Sequence, residues 1–203
     1  PMRSAVSFAP LAAVPLSLLL RGDRGWFVAG LGVLACAGAV GATMAAFGYL
    51  GAKGDGGYGD FALNLFSPVW PWRSWFLGGL VGREVDATGH GGWEGYNWLG
   101  LGLLAGMVAV LLLAPRALAI ALRRHAGLAL VLLGLTLLAV SFRIGAGRVV
   151  VLDLGPAPGF LEQFRASGRF FWPVGAALLM GTIALLARLP RFGVPAVLLL
   201  GVV

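Results

Sequence analysis

Two carboxylates and two guanidinium groups carry most of the reactive chemistry this sequence offers. Asp60 follows a glycine-rich turn and precedes the apolar run 61–66, while Glu94 stands with Tyr96 and Asn97 where the chain enters a long apolar stretch. A carboxylate at such a boundary can act as a general base or hold a divalent cation. Asp60 equally fits as a helix cap, and Glu94 as an interfacial tether in a partly desolvated place. Arg165 and Arg169 lie four residues apart around Ser167, on one face if 160–171 is helical. Planar guanidinium groups suit paired phosphate oxygens, so the two read as a cradle for a phosphate or diphosphate head group. Beside Phe170, Phe171 and Trp172 they also read as snorkelling interface anchors. Trp93, with Trp70, Trp72 and Trp75, can stack on a sugar face or anchor a membrane interface. His90 has no partner at metal-ligand spacing, His125 lies in a basic turn, and Cys36 is the only cysteine. No metal site and no disulfide framework are therefore expected, and a divalent cation at a carboxylate is the one cofactor the sequence leaves room for.

The elements that must position these residues are apolar. With 59% hydrophobic and 11% charged residues and a mean hydropathy of +0.91, the chain lies far from soluble composition, in which about a quarter of residues are charged. Since a span needs roughly 20 apolar residues, the pattern predicts an all-α polytopic transmembrane bundle in one domain, 1–203. Its five spans are 4–20, 26–50, 97–113, 126–142 and 170–187, and a truncated sixth starts at 194. That last run covers about half a bilayer, which reads as a segment of a longer chain. Gly30, Gly32, Ala35, Gly38 and Gly41 let the second span pack closely. Arg3 and the interrupting Pro10 and Pro15 do not make a signal peptide.

Two longer loops remain, 51–96 and 143–169. Three short connectors, around Arg21 and Arg24, around Arg116, Arg123 and Arg124, and around Arg188 and Arg191, alternate with them. The positive-inside rule puts the connectors on the cytoplasmic side and the loops outside, as in a multi-pass protein of a cytoplasmic membrane. The charge of +7 then reports topology rather than nucleic-acid binding. The first loop carries three basic residues against five acidic, as suits an outer loop. The second keeps four arginines against two acids, an excess that binding to an anion explains.

Three motifs stand between these spans: GGYGDFALNLFSP at 56–68, GGWEGYNWLGLG at 91–102 and FRASGRFFWP at 164–173. In this order they resemble an uncharacterised family of bacterial multi-pass membrane proteins, known only as a domain of unknown function. They also look like pieces of the GT-C class of polyprenol-dependent membrane glycosyltransferases. The resemblance covers about 48–191, and FRASGRFFWP is its most specific part. It implies a working face outside the cytoplasm that handles a polyprenyl-phosphate-linked sugar. GT-C enzymes usually carry their catalytic acid in the first outer loop of the complete protein, upstream of the region seen here, so no catalytic residue carries over by position.

The resulting expectation is a glycosyltransferase-like protein among membrane lipids. Arg165 and Arg169 hold the phosphate with Ser167 between them, Trp93, Tyr96 and Asn97 contact the substrate, and Asp60 or Glu94 deprotonates the acceptor. Two other classes stay open. A transporter or flippase for a lipid or polymer precursor calls for ionisable residues within spans, and these are few. A non-enzymatic assembly subunit needs only small-residue helix packing. The sequence names neither sugar, acceptor, lipid nor oligomeric state.

Overall fold

The computed structural model describes residues 9–48, 57–90, 92–161 and 164–189. A 3-10 turn, Ala9–Ala12, leads into α1 (Ala13–Leu20). A tight turn follows in which Gly22 takes φ +69° and Asp23 Oδ1 accepts the Gly25 N–H at 2.8 Å. The chain then enters α2 (Trp26–Ala46), 21 apolar residues without proline. At 1.5 Å per residue that is about 31 Å, enough to cross a hydrocarbon core. None of its residues is fully buried: one side is half-covered where the helix packs against α1, and the rest of its surface is left for lipid or a partner.

The described residues of 57–100 form an irregular layer whose helical pieces are a 3-10 turn, Ser67–Val69, and the single-turn α3 (Gly78–Val81). Gly100, at φ +85°, ends this layer, and α4 (Leu101–Leu113) begins after it. Pro115 opens α5 (Pro115–Arg124), which leaves α4 at 101°. Next come α6 (Ala126–Val140) and an antiparallel hairpin, β1 (Arg143–Ala146) with β2 (Val149–Asp153). Arg143 and Asp153 face each other across it and pair at 3.3 Å. A 3-10 stretch, Ser167–Phe171, runs directly into α7 (Trp172–Leu186).

The core gathers on α6. Leu135, Ala139 and Val140 pack against Leu63 from the irregular layer and against Phe170, Phe171 and Val174. Gly127 lets α1 cross α6, since a Cβ there would strike the backbone of Ser17. A smaller cluster, Val110 with Leu185 and Leu186, closes the other end with Leu118 and Ala121 of α5.

This architecture corrects the expected all-α bundle of five spans and a truncated sixth. Among the described residues two helical stretches are long and apolar enough to cross a membrane, Trp26–Ala46 and Ser167–Leu186, or up to three if the bent pair of α4 and α5 counts as one. Composition counted apolar residues, whereas a span needs an unbroken helix. Of the first candidate, 4–20, the described residues form a 3-10 turn at Ala9–Ala12 and the eight-residue α1, with Pro15 in the first turn of α1, and 4–8 lie outside the described residues. Gly100 and Pro115 cut the third candidate to 13 residues, and α6 has 15. Thirteen residues reach about 20 Å of a roughly 30 Å core. The second loop also carries the two-stranded sheet, built on the β-branched run Val149–Val151. The partial run from 194 lies outside the described residues, as do Lys53, Asp55, Glu162 and Arg191.

Ser141 ends α6 at φ +69° and ψ −171°, a conformation nearly restricted to glycine, while its N–H bonds to the Leu137 carbonyl at 3.2 Å. Ser141→Gly should therefore raise the thermal midpoint, with a gain of about 1 kcal/mol. An unchanged or lower midpoint in a thermal melt would show that the side chain, not the backbone, matters there.

Candidate functional site

The three motifs meet at one node. The Gly168 N–H donates to the Phe61 carbonyl at 3.0 Å, which joins the third motif to the first. Asn97 Nδ2 donates to the carbonyls of Gly95 at 3.0 Å and Gly168 at 3.1 Å, which joins the second to the third. Ser67 Oγ accepts the Asn97 N–H at 2.7 Å and donates to the Gly95 carbonyl at 3.2 Å. The backbones approach so closely that only glycine fits. A Cβ on Gly168 would lie 2.8 Å from Gly95 Cα and from the Phe61 carbonyl oxygen, and one on Gly95 would strike the Ala62 carbonyl. Such contact accounts for Gly95 in the second motif and Gly168 in the third.

This node rests on the C-terminal end of α6. The Leu63 N–H donates to the Ala139 carbonyl at 2.8 Å, and Ser167 Oγ reaches the same carbonyl at 3.4 Å. Tyr58 donates its hydroxyl to the Leu138 carbonyl at 2.7 Å, and burial pushes its phenol up to about 12. Asn64 clamps the hairpin turn from both sides, giving Nδ2 to the Gly147 carbonyl at 2.8 Å and taking the Gly147 N–H on Oδ1 at 2.9 Å.

Around the node lie the charged residues. Arg169 Nη2 pairs with Glu94 Oε1 at 3.1 Å, with Glu94 the more buried partner at 17% side-chain exposure. The Arg169 guanidinium also stands 5.8 Å from the Trp172 ring centre. Arg165, exposed, lies 5.0 Å over the Phe61 ring, and that ring meets Trp93 edge-on at 5.5 Å. Among the described residues no carboxylate lies within ion-pair distance of Arg165. Asp60 and Glu94 thus flank, in sequence, the two rings that touch. Asp60 caps no helix: 57–61 is a turn, and its carboxylate faces His90 Nε2 at 3.8 Å while Thr88 Oγ1 bonds its carbonyl at 3.0 Å. Asp60 and Thr88 both line an open cleft of about 430 Å³ that reaches Ser141 and Arg143.

The structure thus brings Asp60, Glu94, Trp93, Arg165 and Arg169 into one neighbourhood, although not as spacing alone suggested. The two arginines share no helical face, because 164–166 is irregular and helical geometry starts at Ser167. Ser167 is fully buried, and Asn97 is buried with its amide nitrogen satisfied by backbone. Both hold the node together. Tyr96 packs edge-on to Trp72 at 5.5 Å, with Arg73 4.8 Å over the Trp72 ring. Burial raises the Tyr96 phenol and the charge of Arg73 pulls the other way. Sequence reasoning passed over His90 as a partner for Asp60, along with Ser67, Gly95 and Gly168. A glycine inside each of the two later motifs was the available signal for the last two. Among the described residues no group of three or more His, Cys, Asp or Glu side chains gathers as a metal site.

The family model described as a domain of unknown function, DUF6311, matches residues 4–203. No curated protein and no solved structure matches the chain. With all but three residues covered by that match, the chain belongs to the DUF6311 family.

Proposed function

We propose that this protein binds a polyprenyl-phosphate-linked sugar at the membrane edge and transfers the sugar in the manner of GT-C glycosyltransferases, on the extracytoplasmic face. The observation that carries this reading is the position of Arg169 in the first turn of the apolar stretch Ser167–Leu186, braced by Glu94, with Arg165, which has no ion-pair partner among the described residues, near it on the Phe61 ring. A lipid phosphate resides at that depth, and guanidinium groups bind its oxygens in pairs. Trp93 and Phe61 offer ring faces to the sugar. Asp60 is assigned as the general base because, of the two candidate carboxylates, Glu94 is committed to Arg169 while Asp60 pairs with no arginine among the described residues. The base takes the acceptor hydroxyl proton as the phosphate leaves, and the arginines balance the leaving charge.

The test is sugar transfer by the full chain in membranes, from a polyprenyl-phosphate-linked donor. Asp60→Asn is expected to lower transfer by about 100-fold or more, with insertion unchanged. Transfer at the unaltered rate would remove Asp60 from the mechanism. One observation favours a second reading, a non-enzymatic assembly subunit: α2 buries none of its 21 residues in this chain and offers small residues along its length.

A further inference from the structure

We propose that the end of the bundle opposite the motif node binds an anionic membrane phospholipid. Its phosphate lies on Arg21, Arg124 and His125, and its acyl chains lie in the two apolar clefts that meet at His125 and Leu128. Nothing in this inference depends on sugar transfer. The site sits at the N-terminal end of α6, while the motif node rests on the C-terminal end, roughly 22 Å away along the helix.

Three observations place a lipid there. First, α5 leaves α4 at 101° and carries Arg116, Arg123 and Arg124, while Leu118 and Ala121 pack inward on the Val110 cluster. A short helix with a basic face, turned across a neighbour of crossing direction, has the geometry of a helix lying in the head-group layer. Second, the charge at this end is mostly positive, with Arg21, Arg24, Arg116, Arg123 and Arg124 against Asp23. Arg21 Nη2 bonds the Arg124 carbonyl, which draws the first connector onto the second. Asp23 is the acidic residue nearest in sequence, and its Oδ1 is engaged by the Gly25 N–H. The other described acids lie in the irregular layer and the hairpin. The first-turn N–H groups of α6, starting at Ala126, add the positive end of a 15-residue helix.

Third, the space beneath the charges is shaped for hydrocarbon. One cleft of about 800 Å³ is walled by Val14, Leu18 and Leu128 and rimmed by Arg21, Arg124 and His125. A second, of about 1020 Å³, runs between α4, α5, α6 and α7 along Leu111, Leu122, Leu132 and Leu178, and shares His125 and Leu128 with the first. A cationic rim over paired apolar clefts matches an anionic head group with two chains. Neutral lipid fits the clefts but leaves the rim unanswered, and free phosphate leaves the clefts empty.

The test is thermal unfolding of the purified full chain in neutral detergent with phosphatidylglycerol, phosphatidylcholine or inorganic phosphate added. Phosphatidylglycerol is expected to raise the midpoint by about 5 °C, and the other two by far less. Arg21→Gln with Arg124→Gln should lose that shift, and Arg21→Lys with Arg124→Lys should keep most of it. Leu128→Trp fills both clefts with the arginines intact and should lose it as well. An equal shift with phosphatidylcholine, a shift that survives in the glutamine variant, or no shift in the unaltered protein because other chain covers the clefts, each overturns the proposal.

Discussion

Gly168→Ala, and likewise Gly95→Ala, should largely abolish the folded protein. Each added methyl meets backbone rather than a side chain that can swing away: Gly95 Cα and the Phe61 carbonyl oxygen for residue 168, the Ala62 carbonyl for residue 95. Backbone gives way only by moving the segments apart, and separation here breaks the bond from the Gly168 N–H to Phe61 and the bridge of Asn97 between Gly95 and Gly168. Overpacking a tight interior costs about 1–3 kcal/mol, and each buried polar group left without a partner costs about 1–3 kcal/mol more. Together these rival the whole stability of a small domain, roughly 5–15 kcal/mol. Yield of monodisperse protein and its thermal midpoint measure the effect. Near-normal yield and midpoint for both variants would show that the motifs do not interlock as described.

The second large effect concerns Glu94 and Arg169. Arg169→Ala leaves a mostly buried carboxylate without its cation and should destabilise by about 1–3 kcal/mol. Glu94→Gln with Arg169→Gln removes both charges and retains two side chains that can bond each other, so most of that stability should return. The pair itself is partly exposed on the arginine side, and solvent screening limits its direct coupling to about 1 kcal/mol. Thermal midpoints of Arg169→Ala and of the double variant resolve this. A double variant no more stable than Arg169→Ala would mean that Arg169 stabilises by packing on Trp172 rather than by charge. The neutral pair also supplies a folded protein without the guanidinium, which separates a structural role of Arg169 from a role in binding.

Strong apolar character was readable from composition, and the two stretches long enough to cross a membrane, 26–46 and 167–186, were readable because no positive-φ glycine interrupts them and Pro173 sits at the second position of α7, where no helical N–H is needed. The other spans failed on local backbone chemistry that hydropathy does not weigh. Gly100 sets the chain at φ +85° just where a helix was expected to be under way, and Pro115 turns the next helix sideways. The hairpin was missed by the all-α expectation: the β-branched run at 149–151 was the available signal for one strand, while its partner, Arg-Ile-Gly-Ala at 143–146, carries one β-branched residue and no such signal.

The acidic and basic residues of the site were identifiable one by one, whereas their pairing was not. Glu94 and Arg169 are 75 positions apart, and the fold that joins them depends on Gly95 and Gly168, residues with no side chain to betray a role. Ser167 and Asn97 looked like ligand contacts because polar residues in a specific motif invite that reading. Their hydroxyl and amide are instead taken by backbone carbonyls, an interior demand that a sequence does not show. The cationic end at Arg21 and Arg124 read as a topology signal, since the clefts beneath it come from five separate helices.

Binding of polyprenyl phosphate and of the uncharged polyprenol to the full chain in nanodiscs tests the reading of the motif node as a lipid-phosphate site most directly. Polyprenyl phosphate should bind at least about tenfold more tightly than the alcohol, and Arg165→Ala combined with Glu94→Gln and Arg169→Gln should erase the difference while the protein stays folded. Equal affinity for the two lipids, or a preference for phosphate that survives in the triple variant, would contradict it.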